Sequence, residues 1–132
     1  MKKYFLMLAI GLLFLLTTYQ RYNADSSNPQ PRWHTISAME AHRIMEESDS
    51  YILLDVRTEA EFLEKRIDGA ILIPSTELNR AETELPDKNA VILIYCRSGG
   101  RSALAAKALT ELGYSNVYDF GGIINWPYET VN

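Results

Sequence analysis

From Trp33 onward, continuous apolar runs alternate with segments whose apolar residues recur at helical spacing. The apolar runs predict buried strands, and they cover residues 51–56, 69–74, 90–96 and 116–120. The intervening segments predict helices over residues 36–47, 58–66, 75–85 and 101–113. Two of these helices begin at capping boxes, in which a hydroxyl residue is followed three positions later by a glutamate: Ser37 with Glu40, and Thr58 with Glu61.

Continuous apolar strands separated by helices are typical of a parallel sheet that is covered on both faces. We therefore predict an α/β fold with a central parallel sheet. The run over residues 90–96 is the most apolar one outside the N-terminus, which indicates a strand near the centre of the sheet. Because ligands of such sheets bind at the carboxyl ends of the strands, Cys96 is expected at a functional edge.

The N-terminus has a different pattern. Lys2 and Lys3 precede an apolar run that extends to about Leu16, and residues 22–32 are polar with two prolines. This pattern predicts a signal peptide or N-terminal membrane anchor over residues 1–21, followed by a linker. No clean small-residue cleavage site follows, which slightly favours an anchor, although the run is shorter than the roughly 20 residues of a comfortable span. We expect residues 33–132 to form an exported domain, in the periplasm or at the cell surface.

Composition narrows the functional classes. The 132-residue chain has a formal net charge of −4, and without Lys2, Lys3 and Arg21 it retains 10 basic against 17 acidic residues, or −7. Such an acidic domain is a poor nucleic-acid binder, because phosphate contacts need a basic face. A single cysteine excludes an internal disulfide and a CxxC metal site, and two histidines argue against a His-rich metal site. We expect no cofactor.

The only cysteine stands at the start of an unusual loop. After Cys96 come Arg97, Ser98, Gly99, Gly100, Arg101 and Ser102. The glycines allow backbone N–H groups to turn inward as an anion-binding nest, and the following helix adds the positive end of its dipole. With the two arginines, these groups favour the nucleophilic thiolate. A lone cysteine is more often an inert core residue, but two flanking arginines serve no purpose beside an inert thiol.

Four stretches together resemble the motifs of the rhodanese family, in the same order. They are LLDVRTEAEF, RIDGAILIP, YCRSGGRS and GYSNVYDFGGIINW, and the resemblance covers about residues 35–128. One departure is visible, because the family commonly has Gly-His-Ile where this chain has Lys65, Arg66 and Ile67. The resemblance implies a rhodanese-like fold with about five parallel strands and helices on both faces.

The resemblance also implies a two-step sulfur transfer. Cys96 is expected to take a sulfane sulfur from a donor such as thiosulfate, forming a persulfide that cyanide or a thiol then discharges. The loop over residues 97–102 is expected to bind the substrate through its N–H groups, with Arg101 contacting the donor anion. Arg97 is either a second contact or a solvent-facing charge. A sulfur-carrier protein is a candidate partner, as is the membrane if the leader is retained.

The remaining motif residues are expected to be structural. Asp55 is predicted to accept hydrogen bonds that brace neighbouring loops, and Arg57 to pair with a carboxylate beneath the rim of the site. The glycines at 121–122 predict a tight turn near the site. Trp126 is predicted to be a packing residue, and His42 to lie on the surface of a helix.

Two other functions remain open. A cysteine-based phosphatase or arsenate reductase also uses a cysteine, a loop and an arginine at a helix N-terminus. Phosphatases of that type have five residues between cysteine and arginine, whereas four separate Cys96 from Arg101. A non-catalytic sulfur-carrier or binding module has the same sequence features as the enzyme, although inactive relatives usually lose the cysteine.

Overall fold

The computed structural model describes residues 11–20 and 32–132, and the chain divides into two compact units after Gln30. Residues 11–20 are helical. No helix among the described residues is both long and apolar enough to cross a membrane. Residues 1–10 and 21–31, with most of the predicted linker and any cleavage site, lie outside the described residues, so the leader and linker stay predictions.

Within residues 32–132, one sheet contains five parallel strands in the order β1-β5-β4-β2-β3. In chain order the strands are β1 (His34–Thr35), β2 (Ile52–Asp55), β3 (Ile71–Leu72), β4 (Val91–Cys96) and β5 (Asn116–Gly122). The helices are α1 (Ala38–Glu47), α2 (Glu59–Glu64), α3 (Ala81–Glu84) and α4 (Gly100–Glu111), with 3-10 turns at Leu78–Arg80 and Ile123–Asn125. The predicted parallel α/β sheet, with β4 at its centre, is confirmed.

Alternate residues of β4 face two separate cores, as the two-residue period of a strand requires. Ile92, Ile94 and Cys96 contribute to a core that also contains Ala105, Ala106 and Leu109 of α4. Leu93 and Tyr95 contribute to a second core, which contains Ala41 of α1 and Trp126. Helices therefore cover both faces of the sheet, and Cys96 points to the face that α4 covers.

Two strand predictions needed correction. β1 was missed because its two residues, His34 and Thr35, are exposed and carry no apolar run. They join the sheet only by pairing in parallel with Tyr118 and Asp119 of β5. The buried strand predicted over residues 69–74 is only β3, at the edge of the sheet, where Ile71 is 41% exposed.

The helix predicted over residues 75–85 was too long at its start. A turn, in which the N–H of Glu77 donates to the carbonyl of Pro74 at 2.8 Å, precedes the 3-10 turn Leu78–Arg80. The α-helical part is the single turn Ala81–Glu84. A proline at the end of an apolar run favours such a turn over immediate helix formation.

The prediction that His42 lies on the surface was wrong in part. Its ring stacks on Tyr128, with 3.7 Å between the ring centroids, and lies 5.8 Å from the ring of Trp126. Trp126 is itself buried and packs against Phe120 at 5.5 Å, which confirms that it is a packing residue. The C-terminal segment thus covers α1 and half buries His42.

The end of β5 lies directly against the loop that follows Cys96. The register shifts between Ile94, which pairs with Asp119, and Cys96, which pairs with Gly122, so β5 contains one extra residue there. Gly121 has φ +88°, and its N–H donates to the Asp119 carboxylate at 2.9 Å. The two glycines thus lie in the bulged end of β5 and not in the tight turn that the sequence predicted, and such a bulge re-aims the chain at the end of a sheet.

Gly122 is required for space. A Cβ atom at this position lies 2.3 Å from the carbonyl oxygen of Arg97 and 2.5 Å from the Cα of Ser98. We expect Gly122→Ala to push the loop and strand apart and to lower the free energy of unfolding by about 2 kcal/mol. For a domain of this size that corresponds to a fall in Tm of roughly 8 °C, measurable by thermal denaturation.

Gly100→Ala is the matched control, because Gly100 is helical and a Cβ there meets no atom within 4 Å. Its Tm should stay at or above the wild-type value. Equal Tm values for Gly122→Ala and the wild type would contradict the close approach.

Candidate active site

The site is built around the sharp change of direction between β4 and α4. Cys96 is the last residue of the strand, and the helix begins four residues later at Gly100. Gly99 caps the helix with φ +109°, a left-handed conformation that glycine adopts without strain. Gly100 is helical and needs no such freedom, so only the first of the two predicted loop glycines is required for the turn.

The sulfur of Cys96 is held by donors from this loop. The Gly99 N–H donates to Sγ at 3.0 Å, and the thiol in turn donates to the Ser102 Oγ at 3.5 Å. Only 1% of Cys96 is exposed. Burial by itself raises the pKa of the thiol, but hydrogen bonds from the Ser102 side chain and from the N–H groups of Ser102, Gly99 and Ser98 outweigh it, so the pKa of Cys96 lies below its ordinary value.

Ser102 has one hydroxyl proton and three acceptors within reach. Its Oγ lies 3.1 Å from the carbonyl oxygen of Gly99 and 3.3 Å from that of Gly121, besides its contact with the sulfur. Since the residue is fully buried, no water competes for that proton. The hydroxyl can accept from a thiol while donating to a carbonyl, and it can donate to a thiolate, so it serves both protonation states.

The two arginines of the loop differ in their surroundings. Arg101 donates through both terminal nitrogens to the carboxylate of Glu61, each at 2.8 Å. Arg101 lowers the pKa of Glu61 to about 2, so the pair is ionised throughout the physiological range. Arg97 is exposed, and among the described residues it has no ion-pair partner. The contact of Arg101 with a donor anion stays a prediction, and Arg97 is the uncompensated charge of the loop.

Glu61 was overlooked as a site residue by sequence reasoning. Its carboxylate accepts the N–H of Thr58 at 2.9 Å, completing the capping box at the start of α2, and binds Arg101 as well. In the sequence, the capping box already accounts for a glutamate at this position, so no pattern indicated that Glu61 would also bind Arg101. The first turn of α2 is in this way tied to the first turn of α4.

Asp55 and Arg57 form a buried ion pair at the end of the neighbouring strand. The Arg57 Nη2 lies 2.7 Å from Asp55 Oδ2, and the backbone N–H of Arg57 donates to Oδ1 at 2.9 Å. Nη2 also donates to the carbonyl of Lys65 at 2.6 Å. This geometry braces the segment after α2 against the end of β2, and the purely structural role expected for the two residues stays a prediction.

A cleft of about 390 Å³ opens beside the loop. Its walls come from the Cys96 loop, α2 and the turn after β5, and the lining residues are Arg57, Glu61, Glu64, Lys65, Arg97, Ile123 and Ile124. The sequence prediction included Arg57 and Arg97 but not the other five.

Among the residues that the structure describes, no group of three or more His, Cys, Asp or Glu side chains could hold a metal ion. Chemically, the arrangement offers an activated thiolate, loop N–H donors and free positive charge.

The role of Ser102 can be tested through the protonation of Cys96. Alkylation by iodoacetamide should speed up with pH, with a midpoint below the ordinary cysteine value of about 8.5. Ser102→Ala removes one donor to the thiolate, so its profile should move to higher pH. At neutral pH the variant should react roughly tenfold more slowly, as expected for losing about 1.4 kcal/mol from a hydrogen bond to a charged group.

Ser98→Ala is the matched control, because only the backbone N–H of Ser98 acts on the sulfur. Its alkylation profile should match the wild type. A Ser102→Ala profile that also matches would show that the hydroxyl does not stabilise the thiolate.

Comparison with known proteins agrees with this geometry. The family model of the rhodanese-like domain matches residues 37–127. The thiosulfate sulfurtransferase PspE of Escherichia coli is 38% identical over 71 residues, covering 53% of this chain and 68% of that protein. The putative sulfur carrier protein YrkF of Bacillus subtilis is 33% identical over 95 residues, which cover 70% of this chain and about half (51%) of that protein.

A solved structure supports the same assignment. The rhodanese-related protein of Thermoplasma volcanium has a TM-score of 0.63 and 31% identity, and the alignment covers 74% of this chain and 97% of that one. The fold, the position of the cysteine loop and the matched residues together identify the domain: the chain belongs to the rhodanese-like sulfurtransferase family.

Proposed function

We propose that the domain transfers a sulfane sulfur from thiosulfate or a related donor to a thiophilic acceptor, through a persulfide on Cys96. The observation that carries this proposal is the set of hydrogen bonds that surrounds the sulfur of Cys96. Hydrogen bonds from Gly99 and Ser102 lower the pKa of a thiol that burial would otherwise raise. A buried, activated thiolate is suited to accept a single sulfur atom, since bulkier groups have little access to a residue that is 1% exposed.

The first step forms the bond between the Cys96 sulfur and the outer sulfur of the donor. The S–S bond of thiosulfate breaks, and sulfite leaves with its electron pair. In the second step the acceptor, cyanide or a thiolate, attacks the outer sulfur of the persulfide, and the Cys96 thiolate leaves. Neither step needs a general base when the nucleophile attacks as the thiolate, which is the form of Cys96 that the hydrogen bonds to its sulfur favour.

A sulfur-carrier role is the second candidate. It is favoured by the similarity to a relative named as a putative sulfur carrier protein. In that role Cys96 receives sulfur from a partner protein and passes it to another thiol, by the same persulfide chemistry. A phosphatase role has less support, because the Arg101 guanidinium is paired with Glu61 at 2.8 Å and does not stand free to bind a phosphate.

Incubation with thiosulfate should add the mass of one sulfur atom to the protein, and cyanide should remove it as thiocyanate. Cys96→Ser should show neither the added mass nor thiocyanate production. An added mass without turnover by cyanide supports the carrier role. Wild-type protein that gains no sulfur from thiosulfate, and forms no more thiocyanate than Cys96→Ser, refutes the enzymatic proposal.

We also propose that residues 1–21 direct export, so that the domain acts outside the cytoplasm. The support is the sequence alone, in which Lys2 and Lys3 precede an apolar run. Residues 1–32 fused to alkaline phosphatase, which is active only after export, should give active enzyme, and a fusion lacking residues 1–21 should not. Equal activities of the two fusions would contradict export. The mass of the exported fusion separates a cleaved signal from a retained anchor.

A further inference from the structure

A second cavity lies between α1, the turn after α2 and the C-terminal segment. Its volume is about 760 Å³, and it shares no lining residue with the cleft beside the Cys96 loop. The volume falls in the range of about 300–1,000 Å³ that is typical of small-molecule sites. No step of the proposed sulfur transfer uses this cavity, so its occupant is a separate question.

One wall of the cavity is aromatic and is held in place by packing. The ring of His42 stacks on that of Tyr128 with 3.7 Å between the centroids, and the ring of Trp126 packs edge-on against Tyr128 at 4.9 Å. The Trp126 indole N–H donates to the carbonyl of Glu129 at 3.3 Å, which joins the two ends of the segment 126–129. The wall is therefore formed before a ligand arrives, and binding does not have to order it.

The charged groups of the cavity are carboxylates. Glu46, Asp68 and Glu129 line it, and they come from three separate parts of the chain. All three residues are exposed, and within the described ranges none of them pairs with a lysine or an arginine. Glu46 approaches only the ring of His42, with 3.7 Å between Oε2 and Nδ1. Since the described lining contains no lysine or arginine, a cation that enters meets carboxylates for which no cation of the protein competes.

Carboxylates beside aromatic and apolar walls suit a planar, weakly hydrated cation. A guanidinium or amidinium group can bind a carboxylate through two parallel N–H bonds and can stack on an aromatic ring, whereas an ammonium group is more strongly hydrated. Met45, Ile67 and Pro127 add apolar surface to the lining. A ligand whose body covers these side chains removes that surface from water.

We propose that this cavity binds a small organic cation, in which an amidinium or guanidinium group is attached to an apolar body, at a site separate from Cys96. The carboxylates bind the charged group, and the aromatic and apolar walls contact the body. An arginine side chain of a partner protein has the same charged group, but its thin methylene stem covers less of the apolar wall. The volume of the cavity therefore favours a small molecule.

The test uses benzamidine as the probe, with benzamide as an uncharged control of nearly the same shape. In the full chain, labelled with ¹⁵N at its two tryptophans, the indole N–H signals report binding, and Trp33→Phe assigns them. Trp126 lines the cavity, whereas Trp33 packs against the core on the other face of the sheet. Benzamidine should shift the Trp126 signal alone, with a Kd of about 1 mM or below for a ligand of this size. Benzamide should bind about tenfold more weakly, because it lacks hydrogen bonds between charged groups.

A variant that combines Glu46→Gln, Asp68→Asn and Glu129→Gln should bind benzamidine about tenfold more weakly, close to the affinity for benzamide. All three positions are exposed, so this variant is expected to fold. Glu111→Gln is the matched control, because Glu111 is an exposed glutamate of α4, which covers the opposite face of the sheet. Its Kd should equal that of the wild type.

Three results would overturn the proposal: equal binding of benzamidine and benzamide, wild-type affinity in the triple variant, or a Trp126 signal that benzamidine does not shift. N-acetylargininamide presents an arginine side chain alone and should bind more weakly than benzamidine. Equal or tighter binding of N-acetylargininamide overturns the assignment to a small molecule and indicates an arginine of a partner protein. Cys96→Ser should bind benzamidine with the wild-type Kd, so this test and the test of sulfur transfer can fail independently.

Discussion

A negative charge on the sulfur of Cys96 is stable in the interior only if hydrogen-bond donors replace the water that burial removes. The protein supplies these donors from one short loop, and two of them, the Gly99 N–H and the Ser102 hydroxyl, contact the sulfur directly. The first is a backbone group, and the second belongs to a short, fully buried side chain. The pKa of Cys96 thus depends on the conformation of the loop and on the contacts that hold the loop in place.

Three neighbouring segments hold the loop. The end of β5 approaches so closely that only glycine fits at position 122. The first turn of α2 holds Arg101 through Glu61, and the buried Asp55–Arg57 pair fastens the segment after α2 to the sheet. The contact of Gly122 with Arg97 and the pairing of Glu61 with Arg101 join chain segments that are far apart in sequence. The same segments contribute residues to the walls of the adjacent cleft.

Charge at the site is divided between pairs and free groups. Arg101 and Arg57 are held in ion pairs, where their contribution is mainly structural, because a paired guanidinium has few donors left for a ligand. Arg97 and Lys65 are exposed and stand at the cleft. Positive charge without an ion-pair partner among the described residues therefore stands beside the Cys96 loop, although the chain as a whole is acidic.

Much of this protein follows from local patterns in its sequence. The apolar runs predicted a parallel sheet with β4 at its centre, since continuous burial on both faces leaves a strand without polar positions. The motif around Cys96 predicted the loop between strand and helix that the structure shows, while the role of Cys96 as nucleophile stays a prediction. The capping boxes predicted where α1 and α2 begin, since the residues that make a cap are neighbours in the chain.

Tertiary structure alone decided the features that depend on distant partners. The pairing of Glu61 with Arg101 joins residues 40 positions apart, and the sequence had already explained the glutamate as a helix cap. β1 exists only because β5 lies beside it, and Ile124 lines the cleft only because its N–H binds the loop after Cys96. Local sequence determines the secondary-structure propensity of a segment and the reactive groups that it carries. Contacts that only the folded chain creates decide which charges have no ion-pair partner and which apolar side chains line a site.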